Sequence, residues 1–546
     1  MNAFDRFYST VLKFPRWSLA VFALVLLGLV TRGDFSNGDT PRRLQVTHWL
    51  WTDQPQVNNA DHVLSPPNRS GLSNPGWCEL PGRNGEIFAQ FGLGQSLVML
   101  PGDMLSWWLV NRLLVNVLPP SRYVGDAGGQ YTDLKTTIVN LSTFPVLCAL
   151  SVILSFDLLL LLGFLPRIAM AATILLATAT TFLVYMQNVQ ENGLMYLCYV
   201  AALVFTLRAS KHNWKTNLII AGAFSGFGLL IKLSDIAYLG PVFLLALGLR
   251  LELSDRSRIS LRGVAKETAL VSLYYGMPVL AFLAIDRYYQ FYRFGELLTT
   301  YMTHCVKYYA QAGYPHGYPF GYDFVSGFLG PFVTRNASIF LFDPFLVVAL
   351  VYAGFKWRQM TLRQRLVLVG ALWALISLAL IFASTYFWTG GLDWGPRHHL
   401  VPVEVICLIG FAFVLRDFSS FRPWIRALVI LNLVVASGSQ IVALPMLASV
   451  EPRQIEAGDP IGSVQLMRVR NLYHLVAGDF ERIGLGYGSS AILRRVVSKD
   501  TDQLLFFRLA TAMPKFSHLL YATWLILLLS AMTAGVAIVS RATRLP

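Results

Sequence analysis

Trp17-Ser-Leu-Ala-Val-Phe-Ala-Leu-Val-Leu-Leu-Gly-Leu-Val30 runs without a break into Thr31-Arg-Gly-Asp-Phe-Ser36-Asn-Gly-Asp39-Thr-Pro-Arg-Arg43. The apolar half reads as a first membrane span. Arg6, Lys13 and Arg16 precede it, and no small-x-small cleavage pattern comes after it, so it reads as a retained span with a cytosolic tail. The polar half then lies outside. Thr40 suits a helix N-cap and Pro41 the first helical position. Arg42 to Trp51 reads as a short helix whose Leu44, Trp49, Leu50 and Trp51 suit a membrane interface. Asp39 is thereby held at the membrane surface, where a lipid-borne and a water-borne substrate could meet. The competing reading is that Asp39 only starts the helix.

The rest of the chain settles the class. It has 546 residues, of which 55% are hydrophobic and 14% charged, with mean hydropathy +0.52. So many long apolar runs exclude a soluble enzyme and define an all-α polytopic membrane protein. The net charge of +14 comes largely from Lys and Arg in short loops between apolar runs, the pattern of the positive-inside rule, and implies no nucleic acid. Cys148, Cys198 and Cys407 fall in apolar runs and read as small core residues. Cys78 and Cys305 fall in outer loops, where a bridge is open to them.

Counting runs between basic loops gives about twelve spans. Leu97 to Leu118 is assigned to the outer surface instead, because Pro101, Asp103, Asn111, Arg112 and Asn116 interrupt it and Trp107-Trp108 suit an interface. The expected organisation is a module over 1–416, with outer segments at 31–135 and 286–336, and C-terminal spans over 417–546 with an outer segment at 447–517. Ionisable residues gather at the outer face: Asp39, Glu191, Lys232, Asp235, Lys307, Arg335, Asp393, Arg397, His398 and His399. Such groups at membrane depth are functional candidates. Each also has a plainer reading: Glu191 as a solvated turn residue, Lys232 paired with Asp235 three residues on, the two histidines as interfacial. Asp157 sits inside a span with a neighbouring helix as its expected partner. No P-loop, dinucleotide fingerprint or HExxH is present, and no third ligand accompanies the histidines, so no metal is assigned. The stretch from Arg287 to Phe324 is rich in Tyr and Phe. Its faces can stack on sugar rings or form an interface belt, and Gly313 to Gly321 is a flexible aromatic loop that could close as a lid.

This layout resembles the GT-C superfamily of membrane glycosyltransferases, which includes protein O-mannosyltransferases and aminoarabinose transferases of lipid A. The resemblance lies in a first span followed by a long outer loop with an acidic residue (here Asp39), a second acidic position (Glu191), and an outer loop after the seventh span (Asp286 to Asn336). Bacterial glycosyltransferase-like proteins carry patterns similar to Gly85-Glu-Ile-Phe-Ala-Gln-Phe-Gly-Leu-Gly-Gln-Ser-Leu97, to Gly327-Phe-Leu-Gly with Phe342-Asp-Pro344, and to Trp388-Thr-Gly-Gly-Leu-Asp-Trp-Gly-Pro-Arg397. The likeness covers roughly Met1 to Arg416. The superfamily's paired acidic motif is absent in strict form, since Thr40 follows Asp39.

The resemblance implies an inverting glycosyltransferase in the bacterial inner membrane, with its site on the periplasmic side. It would move a sugar from a polyprenyl-phosphate donor to a glycan, lipid or protein acceptor. Asp39 and Glu191 would be catalytic. Arg397, Lys232, Arg335 and His398 would hold the donor phosphate, and Tyr314, His316, Tyr318, Trp388 and Trp394 would contact sugar or acceptor. A non-catalytic transporter of lipid-linked sugar or polysaccharide is the alternative, and a structural envelope subunit a weaker one. A cysteine introduced at Ser121 is expected to react with a membrane-impermeant reagent from outside; labelling from the cytosol alone would put Leu97 to Leu118 across the membrane.

Overall fold

The computed structural model describes residues 11–33, 35, 39–57, 80–83, 85–114, 133–253, 260–311, 313–314, 316–391, 393–446, 450–456, 458–477, 483 and 504–543. Asp34, Cys78, Ser121, residues 115–118 and much of 478–503 lie outside them. Apolar runs become helices because only helices satisfy every backbone group without water. Among the described residues, nine helices are long and apolar enough to cross a membrane. The three other runs read as spans are shorter helices: α1 (Pro15–Val30), α5 (Pro166–Ala179) and α14 (Phe345–Lys356).

The bundle is arranged around α5, α7 (Glu191–Ala209) and α16 (Leu400–Asp417). Every residue of α16 from Leu400 to Leu415 is buried. Around this centre lie α4 (Asp133–Leu161), α8 (Trp214–Ile231), α9 (Ile236–Leu253) and α15 (Leu362–Phe382). The peripheral helices α11 (Met277–Phe294), α17 (Pro423–Ala443) and α21 (Ser517–Ala542) expose long apolar faces, such as Leu280 and Ile285, Leu431 and Val434, Ile526 and Leu529. Lipid tails are as apolar as leucine, so the helices are held by close packing and by hydrogen bonds between them. Small residues supply the close approaches. A Cβ on Gly222 would lie 2.2 Å from Tyr275 O, and one on Gly410 would lie 2.4 Å from Ala349 Cβ. A polar contact secures the break after α5. Asp343 accepts from Thr181 N and Thr181 Oγ1, both at 2.8 Å, and so caps α6 (Phe182–Gln187) just beyond Ala179.

The segments between the spans dock through buried polar groups. Helix α2 (Asp39–Trp49) starts at Asp39 itself, not after a Thr40 cap; Thr40 Oγ1 instead donates to Val189 O at 2.9 Å. Nor does α2 lie on the interface, since Thr40 and Arg42 to His48 are all buried. It is covered by α3 (Leu93–Trp108), which is not among the nine span-like helices and continues as a π-helical turn over Leu109–Leu114. One of the polar residues that interrupt this run has a structural purpose: buried Asp103 takes His48 Nδ1 at 3.1 Å and Trp51 Nε1 at 2.7 Å. A short hairpin, β1 (Leu80–Pro81) with β2 (Ile87–Phe88), is fixed to α11 by buried Arg293, whose Nη1 donates to Ala89 O at 2.7 Å. In α12 (Tyr301–Gln311), Cys305 is disulfide-bonded, whereas Cys148, Cys198 and Cys407 are free and buried. At the opposite end of the bundle Asp157 finds its neighbours in Arg16 at 2.8 Å and Arg208 at 2.6 Å.

Helix α13 (Phe324–Val333) approaches the end of α15 so closely that a Cβ on Gly327 would lie 1.8 Å from Ala383 O. Gly327→Ala is therefore expected to cost about 1–3 kcal/mol. Gly354→Ala, with nothing within 4 Å, should be within ~0.5 kcal/mol of the wild type. Thermal denaturation of the two variants in detergent checks the pair.

Candidate functional site

The site forms where four separated pieces of chain meet the turn between α6 and α7. This turn, Gln187-Asn-Val-Gln-Glu-Asn192, is buried throughout. Val189 takes a left-handed conformation, φ 52°, rare for a β-branched residue. Its carbonyl is fixed by Thr40 Oγ1 at 2.9 Å and Gln95 Nε2 at 3.0 Å. The next three side chains all point to partners on other elements. Gln190 Nε2 donates to Asp393 Oδ1 at 2.7 Å, and Asn192 Nδ2 to Arg397 O at 2.6 Å.

Glu191 is 2% exposed and pairs with two cations, Arg43 Nη2 at 3.0 Å and Lys232 Nζ at 3.2 Å. The solvated-turn reading of Glu191 is thus replaced by a buried one. Lys232 does not pair with Asp235; only backbone joins those two, Asp235 N donating to Lys232 O at 3.0 Å. Burial pushes the Lys232 amine below its usual range, and Glu191 opposes that shift. Lys232 Nζ also donates to His398 Nδ1 at 3.0 Å. An ammonium has no lone pair to offer, so the ring accepts at Nδ1 and carries its proton at Nε2. Phe382, at the end of α15, stacks on that ring at 4.0 Å and 9°.

Beside this group Arg397 Nη1 meets two carboxylates, Asp393 Oδ2 at 2.9 Å and Asp39 Oδ2 at 3.3 Å. Arg397 Nε has no hydrogen-bond partner among the described residues. The carboxyl of Asp393 is pushed up by burial, opposed first by Arg397 and then by Gln190. Gly390, at φ +94°, gives the arginine stem its room: a Cβ there would lie 2.2 Å from Arg397 Cγ. The cluster holds three cations (Arg43, Lys232, Arg397) and three carboxylates (Asp39, Glu191, Asp393).

Of the residues singled out in the sequence, Asp39, Glu191, Lys232, Asp393, Arg397 and His398 come together. Arg335 is exposed on the turn after α13, and among the described residues no ion pair joins it to the others. Trp394 is wholly buried, its ring set edge-on to Phe342 at 5.1 Å, so it has no face for a sugar; its place is in the scaffold. Tyr314 and Tyr318 belong to a connected run of rings. Contacts pass from Tyr309 to Tyr318 (4.8 Å), Tyr386 (5.4 Å), Tyr322 (5.5 Å) and Trp388 (6.4 Å), with Tyr314 beside Tyr318 at 4.7 Å. His316 is exposed. The loop that carries it is fastened further on, Tyr386 N donating to Pro319 O at 2.9 Å and Tyr322 N to Ser384 O at 3.1 Å. Three residues had no assigned role. Arg43 lies four residues after Asp39, hence on one helix face with it, and Asp393 has the same spacing to Arg397, a signal that was available. Gln190 had no such signal.

The model of the dolichyl-phosphate-mannose-protein mannosyltransferase family matches residues 135–286, which carry Glu191 and Lys232. The chain is thus similar to membrane glycosyltransferases of the GT-C type, with a predominantly helical multispan fold. Two solved structures of the Archaeoglobus fulgidus oligosaccharyltransferase resemble it at 13% identity. The apo form aligns over 82% of this chain and 58% of that one, TM-score 0.41. The complex with an inhibitory peptide and a dolichol-phosphate aligns over 83% and 59%, TM-score 0.40. This chain therefore spans under three fifths of their length. No curated protein matches it.

Replacing Glu191 by Gln leaves Arg43 and Lys232 buried without their counter-charge, which costs about 3–5 kcal/mol. Asp39, at 19% side-chain exposure and sharing Arg397 with Asp393, is expected to cost at most ~1 kcal/mol when changed to Asn. Thermal melting of Glu191→Gln and Asp39→Asn distinguishes the structural carboxylate from the expendable one.

Proposed function

We propose that the protein is an inverting glycosyltransferase that moves a sugar from a polyprenyl-phosphate donor to an acceptor hydroxyl at the extracytoplasmic face of a bacterial inner membrane. The observation that carries this reading is Arg397: one nitrogen is held by Asp39 and Asp393, while Nε has no partner among the described residues. A guanidinium anchored at one end presents its remaining N–H groups to a phosphate in fork geometry. His398, with its proton at Nε2, and Lys232 add a donor and a charge beside it.

The acceptor oxygen attacks the anomeric carbon and forms the new glycosidic bond. The bond from that carbon to the phosphate oxygen breaks, and its electron pair leaves with the polyprenyl phosphate. Arg397 and Lys232 oppose the charge that develops there, which favours the transition state. Asp39 takes the hydroxyl proton, and attack from the face opposite the phosphate inverts the carbon. Glu191, enclosed by two cations, fits the role of holding Arg43 and Lys232 in place better than that of a second base. The rings from Tyr309 to Trp388 would line the acceptor side. The disulfide at Cys305, in the outer segment by this topology, fits an oxidising compartment on that face. The alternative, a transporter, needs a polar path across the bilayer; between Asn192 and Arg208, α7 carries no charge and only Tyr196, Cys198, Tyr199 and Thr206 among its apolar residues.

Asp39→Asn is expected to lower sugar transfer by about 10²–10⁴-fold, the usual worth of a general base, with donor affinity nearly unchanged. A purified-enzyme assay with radiolabelled polyprenyl-phosphate sugars reads both quantities; turnover at the wild-type rate would remove Asp39 from the chemistry.

A further inference from the structure

The segment after α17 lies outside the residues the family match covers, as does the loop of Asp393 to Arg397, and the two meet. Helix α19 (Val464–Val476) carries Arg468, which is wholly buried. Its Nε and Nη2 pair with both oxygens of Glu451, itself fully buried on α18 (Val450–Glu456), the Nε contact at 2.8 Å. Its Nη1 donates to Ala443 O at 2.9 Å and Met446 O at 3.0 Å, carbonyls at and just past the end of α17, where helical acceptors run out of donors of their own. Asn471 Nδ2 donates to Glu451 Oε1 at 2.7 Å and Gln454 Oε1 at 2.8 Å, closing the network. The guanidinium so fixed stands 5.0 Å from the ring centroid of Trp394. Trp394 is gripped elsewhere too, by Phe342 and by Tyr185 Oη, which donates to Trp394 O at 2.6 Å. Asp393 precedes this residue directly, and Arg397 comes three residues after it.

We infer that Arg468 is a positioning residue. It holds the Trp394 ring and thereby sets where the Asp393–Arg397 loop stands against Asp39 and Glu191. A segment beyond α17 therefore controls the phosphate-facing arginine. The physical reason is the economy of a buried guanidinium. Its N–H groups are engaged by Glu451 and the end of α17, so its plane cannot turn, and the indole packed over it inherits that orientation. A cation over an indole also attracts it directly. The effect on donor affinity rests on the proposed role of Arg397 as the donor-phosphate ligand; the effect on the loop does not.

The test is hydrogen exchange of the full-length protein in nanodiscs, read on peptides across 389–400 and on α8 as a reference. Arg468→Met and Trp394→Phe are both compared with wild type. The second keeps the Arg468–Glu451 pair and guards against a misfolded first variant. Exchange across 389–400 is expected to rise roughly three- to thirtyfold in Arg468→Met, the range of a lost cation–π contact, and by less in Trp394→Phe, whose smaller ring keeps a weaker one, with α8 unchanged in both. Unchanged exchange across 389–400 in both variants would overturn the inference, as would a rise equal in α8. The same proteins are then titrated with a short-chain polyprenyl monophosphate. Weaker binding in Arg468→Met, with no further loss when Arg397→Gln is already present, shows that the effect runs through Arg397. If wild type does not bind the probe but exchange still rises, the donor reading fails and the positioning role of Arg468 stands.

Discussion

The ion triad of Arg43, Glu191 and Lys232 is the constraint on which the half of the molecule that carries the site depends. A carboxylate with 2% exposure is tolerable only with close counter-charges, because moving it out of water costs several kcal/mol even after relaxation. Two cations from different elements supply them, and the N-terminus of α7 adds its dipole. The requirement is mutual, since neither cation is well solvated once the triad has formed. Three segments far apart in the chain, α2, the start of α7 and the turn after α8, are thus fixed at one point. Val189 in its left-handed conformation turns its carbonyl towards Thr40 and Gln95, so the backbone of the same turn holds α2 and α3 as well.

Around that point the charges are arranged in two complementary ways. Glu191 is one carboxylate between two cations, and Arg397 is one cation between two carboxylates. The first arrangement is closed and immobile. The second is open: the Asp39 contact at 3.3 Å is longer than the Asp393 contact at 2.9 Å, and Asp39 is the more exposed of the two. A ligand anion that draws on Arg397 would compete first with Asp39. In the proposed transfer this leaves Asp39 free to accept a proton while Asp393, fastened by Gln190, keeps the arginine in place.

The molecule uses different forces at different depths. Within the bundle the surrounding medium gives apolar side chains little reason to associate, and close contacts at Gly222, Gly410 and Gly327 do the holding. At the end of the bundle that carries the site the same role passes to buried polar groups. Asp103 holds α3 to α2, Arg293 holds the hairpin to α11, and Arg468 with Glu451 holds the last outer segment to α17 and the site loop. Each is a charge that would be costly if left unpaired, which makes its docking geometry specific.

Composition and the spacing of apolar runs determined the class and the helical architecture, because a bilayer admits few alternatives. Five of the residues proposed from the sequence, Asp39, Glu191, Lys232, Arg397 and His398, lie together in the folded chain. The partners were not legible. Whether Lys232 would take Asp235, three residues on, or Glu191, 41 residues back, depends on how α7 and α8 pack, and no local pattern encodes that. Trp394 and Trp388 belong to one motif, yet one is sealed against Phe342 and Arg468 while the other joins a run of aromatic rings. The start of α2 was misplaced because Thr40, a residue suited to capping its own helix, is drawn instead to a carbonyl on another element. A buried polar group is satisfied by whatever the tertiary fold brings within about 3 Å. The sequence shows which residues will need a partner, and only the folded chain shows which partner arrives.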